Sequence, residues 1–347
     1  MQRRHPCWLA KTCLAVLVIA LGACSPKEEL LLQGRTMGTT YHITVVARSV
    51  DPVARLKAPI DQRLDEINQS MSTFQPDSEI SRFNNQQEKG STLPVSADFA
   101  QVMRVGAELY RLTNGAWDGT VDPLVNLWGF GRKGEASQVP GAAQIKAALE
   151  RVGFDAIRVT DQRSLVKEKA GVSLDLASIA KGYAVDQVAR LIGDKGYKDF
   201  LVEIGGEVFA AGTRADGKPW RVGINRPSRD AGLREVYRVV ALSERAFATS
   251  GDYRNFLALE GHYYPHIIDP RSGRPVENHV VSASVVADDC TFADGLATAL
   301  MVMGPAAGVE LVNRLKGVEC LVVVGHKDGS LTDYPSAGFK KLLVNLP

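Results

Sequence analysis

The stretch DLASIAKGYAVDQVARLIGDKGYKDFLVEIGG, Asp175 to Gly206, sets the class of fold. Asp175 can N-cap a helix that runs apolar on one face as far as Ile192, where Gly193 ends it. Phe200 to Ile204 then reads as a buried strand closed by Gly205-Gly206.

Outward from this stretch, helix and strand do not alternate regularly. The pattern predicts a strand at 41–47 and helices at 53–68, 96–113 and 142–152, the second of these capped by Ser96 and stopped by Asn114-Gly115. Further strands are expected at 220–224, 236–242, 280–286 and 321–324, with helices at 290–303 and 305–316 between the last two. The expected class is therefore α+β (mixed α/β), a mixed β-sheet core with flanking helices and not a doubly wound nucleotide fold. No linker, low-complexity tract or repeat interrupts the chain after residue 29, which leaves room for one large domain or two lobes.

The N-terminus has its own signature. Arg3, Arg4 and Lys11 precede a short apolar run, and Leu21-Gly22-Ala23-Cys24 ends in small residues. This is a signal peptide over residues 1–23, too short in its apolar core to remain as a spanning helix. Leu-x-x-Cys is similar to the bacterial lipobox, so Cys24 is the expected lipidation site, with residues 24–34 as tether and 35–347 as the catalytic domain. An ordinary cleaved signal with a chance cysteine is the alternative. Removing three basic residues turns 41 Lys+Arg against 39 Asp+Glu into 38 against 39, so the mature chain is near neutral. No basic, aromatic-rich stretch argues for nucleic acid. Cys290 and Cys320 are the cysteines left after Cys24; they contain no C-x-x-C, and a disulfide between them stays open.

Two motifs mislead. Gly129 to Gly134 fits G-x-G-x-x-G, but no helix follows it until about residue 141, so a dinucleotide site is not supported. Gly212 to Lys218 resembles a phosphate loop until Pro219 stands where Ser or Thr is needed, and reads instead as a polar hairpin.

Other segments combine polar chemistry more tightly. FADGLATAL, Phe292 to Leu300, sets Asp294 and Thr298 one helical turn apart among apolar residues. Two hard oxygen donors on one face could hold a divalent cation, and equally could form a buried hydrogen-bonded pair. Asp175, Ser178 and Lys181 recur at a spacing of three. Met37-Gly38-Thr39-Thr40 offers a flexible approach to a ligand; Met71 to Phe74 leads into a polar loop at 77–84. Ala116, Trp117 and Asp118 suit a flat heteroaromatic ring or a wedge of core. His266 to Gly273 brings a histidine, an acid and Arg271 around a proline turn, a proton carrier beside a candidate phosphate clamp.

Taken in order, MGT, MST-Phe, SEISRFN, AWD, PLVNLWGFG, DLASIAKGY, EIGGEV, TSGDY, HIIDPRSG and ADGLATAL closely resemble the ApbE family, FAD:protein FMN transferases, in its bacterial lipoprotein form. The resemblance implies two lobes around a FAD cleft. It implies that Mg2+ helps split FAD, that the FMN moiety moves to a Thr or Ser hydroxyl of a target flavoprotein, and that AMP leaves. Met37, Phe74, Ala116, Trp117, Asp118, Asp175, Lys181 and Ile268 are then expected to contact FAD. Metal is expected around Ser178, Asp294, Ala297 and Thr298, with Ser178 and Ala297 offering carbonyls. Some relatives carry an acid where this chain has Lys181. His266 is the candidate general base, with Asp294 as the other catalytic residue.

Expected acceptors are flavin-bearing subunits of the sodium-pumping NADH:quinone reductase or Rnf-type assemblies. The enzyme would stand on the periplasmic side of an inner or outer membrane, held by lipid (palmitate) on Cys24. The competing expectations are a FAD pyrophosphatase that hydrolyses FAD to FMN and AMP, and a non-catalytic flavin-binding lipoprotein.

Overall fold

The computed structural model describes residues 27–131, 134, 138–228, 235–252, 256–259 and 262–345. The expected signal peptide, Cys24, Arg132, Lys133 and Tyr253 lie outside the described residues. Eight strands form the main sheet: Glu28–Thr36, Thr39–Ala47, Phe200–Ile204, Glu207–Ala211, Arg245–Gly251, Val280–Ala287, Glu319–Gly325 and Leu331–Pro335. They lie side by side in chain order, each antiparallel to the next. The α+β expectation holds, but the sheet is antiparallel and not mixed in strand direction. Several helices separate residues 47 and 200, so no single crossover forces a parallel return.

Both faces of this sheet are covered, which explains why its central strands read as nearly unbroken apolar runs. On Arg245–Gly251, Ala246 and Ala248 face the helical layer while Phe247 joins the opposite cluster. Cys320 and Val322 alternate with Leu321 and Val323 in the same way. The second face is closed by a three-stranded sheet of Trp220–Asn225, Val236–Leu242 and Leu343–Val344.

Several expectations need correction. Strand Glu28–Thr36 takes up residues assigned to a tether, pairing with Thr39–Ala47 as an edge strand. Its three consecutive leucines hide the alternation in which Leu30 and Leu32 pack inward while Leu31 stays exposed. Segment 53–68 is two helices, Val50–Ala54 and Lys57–Met71. The polar loop at 77–84 is largely a helix, Glu79–Asn85, because Ser78 caps it by accepting the Ser81 amide at 3.2 Å. Helix 305–316 stops at Asn313. The connection at 212–218 joins strands of different sheets, so it is not a hairpin. Cys290 and Cys320 are both buried and free. Gly129 follows helix Asp122–Leu127, as a dinucleotide fingerprint would not.

Helices Ala177–Asp194 and Cys290–Met303 pack together at Gly182. A Cβ there would stand 2.2 Å from the Cys290 carbonyl oxygen and 2.8 Å from Asp294 Cβ, so only glycine permits this approach. Two carboxylates then hold the start of the second helix. Asp186 accepts the Cys290 and Thr291 amides at 2.8 Å each, and Asp289 accepts the Phe292 amide at 2.8 Å. Burial pushes the Asp186 carboxyl up to about 6.

Candidate active site

The packed helices place Asp294 directly over the backbone of its neighbour: Asp294 Oδ2 accepts the Gly182 N–H at 3.0 Å. Lys181, one residue earlier, sends its Nζ to 3.8 Å from Asp294 Oδ1 and 2.9 Å from Glu207 Oε2. Glu207 reaches this point because the Gly205-Gly206 turn is tight, with both glycines at positive φ, 64° and 108°. A Cβ on Gly205 would lie 2.8 Å from Thr39 Cγ2 and 3.2 Å from Lys181 Cδ.

Asp294 and Glu207 are each 3% exposed, so their charges are removed from water together. Burial raises both carboxyls above the usual range. Burial by itself would lower the Lys181 ammonium, but Asp294 and Glu207 outweigh it and hold the proton on. One turn along, Thr298 Oγ1 lies 2.9 Å from Ser250 Oγ on strand Arg245–Gly251. Ser178 Oγ accepts the indole N–H of Trp117 at 3.0 Å.

These groups floor a cleft of about 510 Å³. Ala116, Trp117, Val121, Val125, Phe130, Ile267 and Ile268 supply its apolar lining, with Ile268 packed among Val121, Val125 and Phe130 and the His266 ring edge-on to Phe130. Phe74 stands at the cleft 81% exposed. Asp118 is buried behind Thr120, whose amide and hydroxyl donate to Oδ1 at 2.7 and 2.6 Å, and burial raises its carboxyl despite them. The segment before the Lys181 helix is held from several directions. Asn84 clamps Leu174 at both N–H and C=O, each at 2.8 Å; Ser173 Oγ donates to Asp122 at 2.7 Å; and the Asp175 amide donates to the Gly119 carbonyl at 2.9 Å.

The cleft thus gathers Phe74, Ala116, Trp117, Asp118, Asp175, Ser178, Lys181, His266, Ile268, Asp294 and Thr298. Of the residues expected at the site, Met37, Ala297 and Arg271 do not line it. Met37 and Gly38, at φ 49° and 72°, form the two-residue turn between the first two strands, and Met37 packs partly against the core. Ala297 has its methyl in the core, fully buried. Arg271 is turned away as well: its guanidinium forks Asp269 at 2.9 Å on each arm and borders an adjoining cavity with Tyr110 and Asp155. The residues that sequence reading missed are Glu207 and Ser250. Each sits in a quoted motif, and the signal for Glu207 was an acid directly after a double-glycine turn.

Charge is the dominant property of this cleft. Among the described residues lining it, Asp118, Asp122, Asp175, Glu207 and Asp294 are acidic, and Lys181 is the lone Lys or Arg. No group of three His, Cys, Asp or Glu gathers as a metal cluster among the described residues. A cation held here would therefore rely on one carboxylate with hydroxyls, carbonyls and water, a donor set suited to magnesium.

An apolar wall that includes Phe130, over an acidic floor short of positive charge, is the candidate site of an α+β enzyme. The chain belongs to the ApbE family, which it matches over residues 37–322. It is 40% identical to the FAD:protein FMN transferase of Vibrio cholerae over 97% of this chain and 98% of that one. With the Escherichia coli K12 protein of the same name, identity is 36% over 92% of this chain and 90% of the relative. The solved flavin transferase ApbE of V. cholerae superposes with a TM-score of 0.82 at 40% identity, covering 92% of this chain and all (100%) of that one. Apo flavinyl transferase ApbE of Pseudomonas stutzeri gives 0.82 at 35% identity over 92% and 99%.

Proposed function

We propose that this protein moves the FMN half of FAD onto a threonine or serine hydroxyl of a partner flavoprotein, with Mg2+ as cofactor and AMP as the second product. The observation that carries the reading is the acidic lining of the cleft: five Asp or Glu side chains against a single Lys or Arg among its described lining residues. A pyrophosphate would be repelled from such a floor unless a cation joined it. Family membership supports the transfer itself.

Magnesium fits the residues present. Asp294 offers a buried carboxylate, Thr298 and Ser178 offer hydroxyls, and the Ser178 carbonyl stands at the position that accepts the Gly182 N–H in a regular helix. Asp294 Oδ2 accepts that same N–H at 3.0 Å, which brings the carboxylate to the start of the Ser178 helix. When bound, the ion would neutralise phosphate charge and support the leaving oxygen.

The chain's own residues do the rest. Phe130, part-exposed at the cleft, offers a face for the isoalloxazine ring, while the Trp117 indole, 2% exposed, fixes Ser178 from the core. The acceptor hydroxyl attacks the FMN phosphorus; a phosphorus–oxygen bond forms to the acceptor and the pyrophosphate bridge bond breaks toward AMP. His266, on the wall of the cleft, takes the hydroxyl proton. Lipid on Cys24 would hold the enzyme at the periplasmic side of a membrane, near acceptor subunits of sodium-pumping NADH:quinone reductase or Rnf type.

The test is incubation of the purified protein with FAD, magnesium and such a subunit. Gain of one FMN by the acceptor in mass spectrometry is expected, with AMP in equal amount. Binding of FAD without any adduct would sink the transferase reading. AMP and free FMN formed at the same rate without acceptor would favour hydrolysis.

A further inference from the structure

We propose that Lys181 is a tethered competitor for the divalent cation, and that Glu207 is the group that draws it away from Asp294; this rests on the metal reading of Asp294 above. The cluster has a charge imbalance built into the fold. Two carboxylates, each 3% exposed, share one ammonium. Its Nζ lies 3.8 Å from Asp294 Oδ1 but 2.9 Å from Glu207 Oε2, so it attends both and belongs more closely to Glu207.

A dication that takes Asp294 as ligand meets that ammonium at close range. Two positive charges a few ångströms apart in a low-dielectric site repel strongly. The repulsion is smallest when Lys181 is held by Glu207, which nothing else in the metal reading requires. The geometry keeps Glu207 there: it is the first residue of strand Glu207–Ala211, and the preceding glycine turn packs on the Lys181 stem. Lys181 thereby keeps the metal-free cluster from carrying two uncompensated charges and limits how tightly the ion is held. Its cleft neighbours contribute further acids, Asp118 and Asp175, but no second Lys or Arg among the described residues.

The experiment is titration of magnesium alone, without FAD, into the purified protein by isothermal calorimetry, with folding checked by circular dichroism. Lys181→Met removes the competing charge and is expected to tighten magnesium binding roughly tenfold. Glu207→Gln leaves the ammonium with Asp294 alone and is expected to weaken binding by a similar factor, about tenfold. The two shifts have opposite sign, and if Lys181→Met fails to fold, the direction of the Glu207→Gln shift decides. Asp294→Asn serves as the reference. If it binds magnesium like the wild type, the metal reading fails. If it loses binding while Lys181→Met binds no tighter, or Glu207→Gln binds no weaker, the metal reading stands and the role of Lys181 is overturned. Absence of binding to every form removes both.

Discussion

Gly182 has no side chain, and this sets the depth at which Asp294 sits. Gly182→Ala would push a methyl into the Cys290 carbonyl, 2.2 Å from the ideal Cβ position, where the obstacle is backbone that cannot swing aside. We expect a loss of about 1–3 kcal/mol in urea unfolding, together with lower transferase activity as Asp294 shifts. Asp294→Ala should behave differently: a fold that melts as one unit by circular dichroism, but magnesium-dependent FMN transfer reduced on the order of 100-fold or more. Activity and magnesium requirement both unchanged would remove Asp294 from the site.

Lys167 allows a test by pH at the same scale. It is fully buried, its Nζ donates to the Val172 carbonyl and lies 4.3 Å from the centre of the Phe83 ring, and burial lowers its pKa to about 8. The unfolded chain holds this proton up to about pH 10.4. Between those values the unfolded state binds more protons than the folded one, so stability from this group rises with pH through the window. Lys167→Met should abolish that rise. Urea melts from pH 8 to 10 should show the wild type gaining on the variant by roughly 2 kcal/mol.

At the scale of elements, the segment that delivers Asp175 and the Lys181 helix has no regular structure and is fixed by side chains. Asn84, on helix Glu79–Asn85, satisfies both backbone groups of Leu174, which is fully buried. Asn84→Ala leaves two buried groups unpaired and should cost about 2–4 kcal/mol in chemical denaturation. It should also raise KM for FAD, since Asp175 follows directly. Helix ends of this kind were legible in the chain: Ser96 caps by accepting the Phe99 amide at 3.1 Å, and helix Cys290–Met303 falls where its apolar run placed it. Helix Glu79–Asn85 was not read, because its polar, capped sequence lacks an apolar stripe even though Ile80 and Phe83 are buried. The Asn84 clamp spans 90 residues, a separation at which local sequence carries no signal.

On the scale of the whole molecule, the sheet is sandwiched between a helical layer and a smaller sheet, and the cleft takes its lining from segments between Thr73 and Val302. No helix among the described residues is long and apolar enough to cross a membrane. If lipid on Cys24 is the anchor, Cys24→Ser should move the protein from the membrane fraction to the soluble fraction on centrifugation. Retention of the variant in the membrane would contradict a lipid anchor.

The amino-acid sequence by itself determined the helices and strands whose periodicity and caps are local, the α+β class, and the ordered motifs that mark an ApbE-family chain. Most of the site residues it singled out line the cleft, because their chemistry stands out against apolar surroundings. Only the tertiary structure decided that Glu207 joins Lys181 and Asp294, that Ser250 meets Thr298, and that Arg271 and Met37 turn elsewhere. These are relations between side chains far apart in sequence. They depend on how closely two helices approach at one glycine and on where a two-residue turn ends, distances that packing sets and that no local pattern encodes.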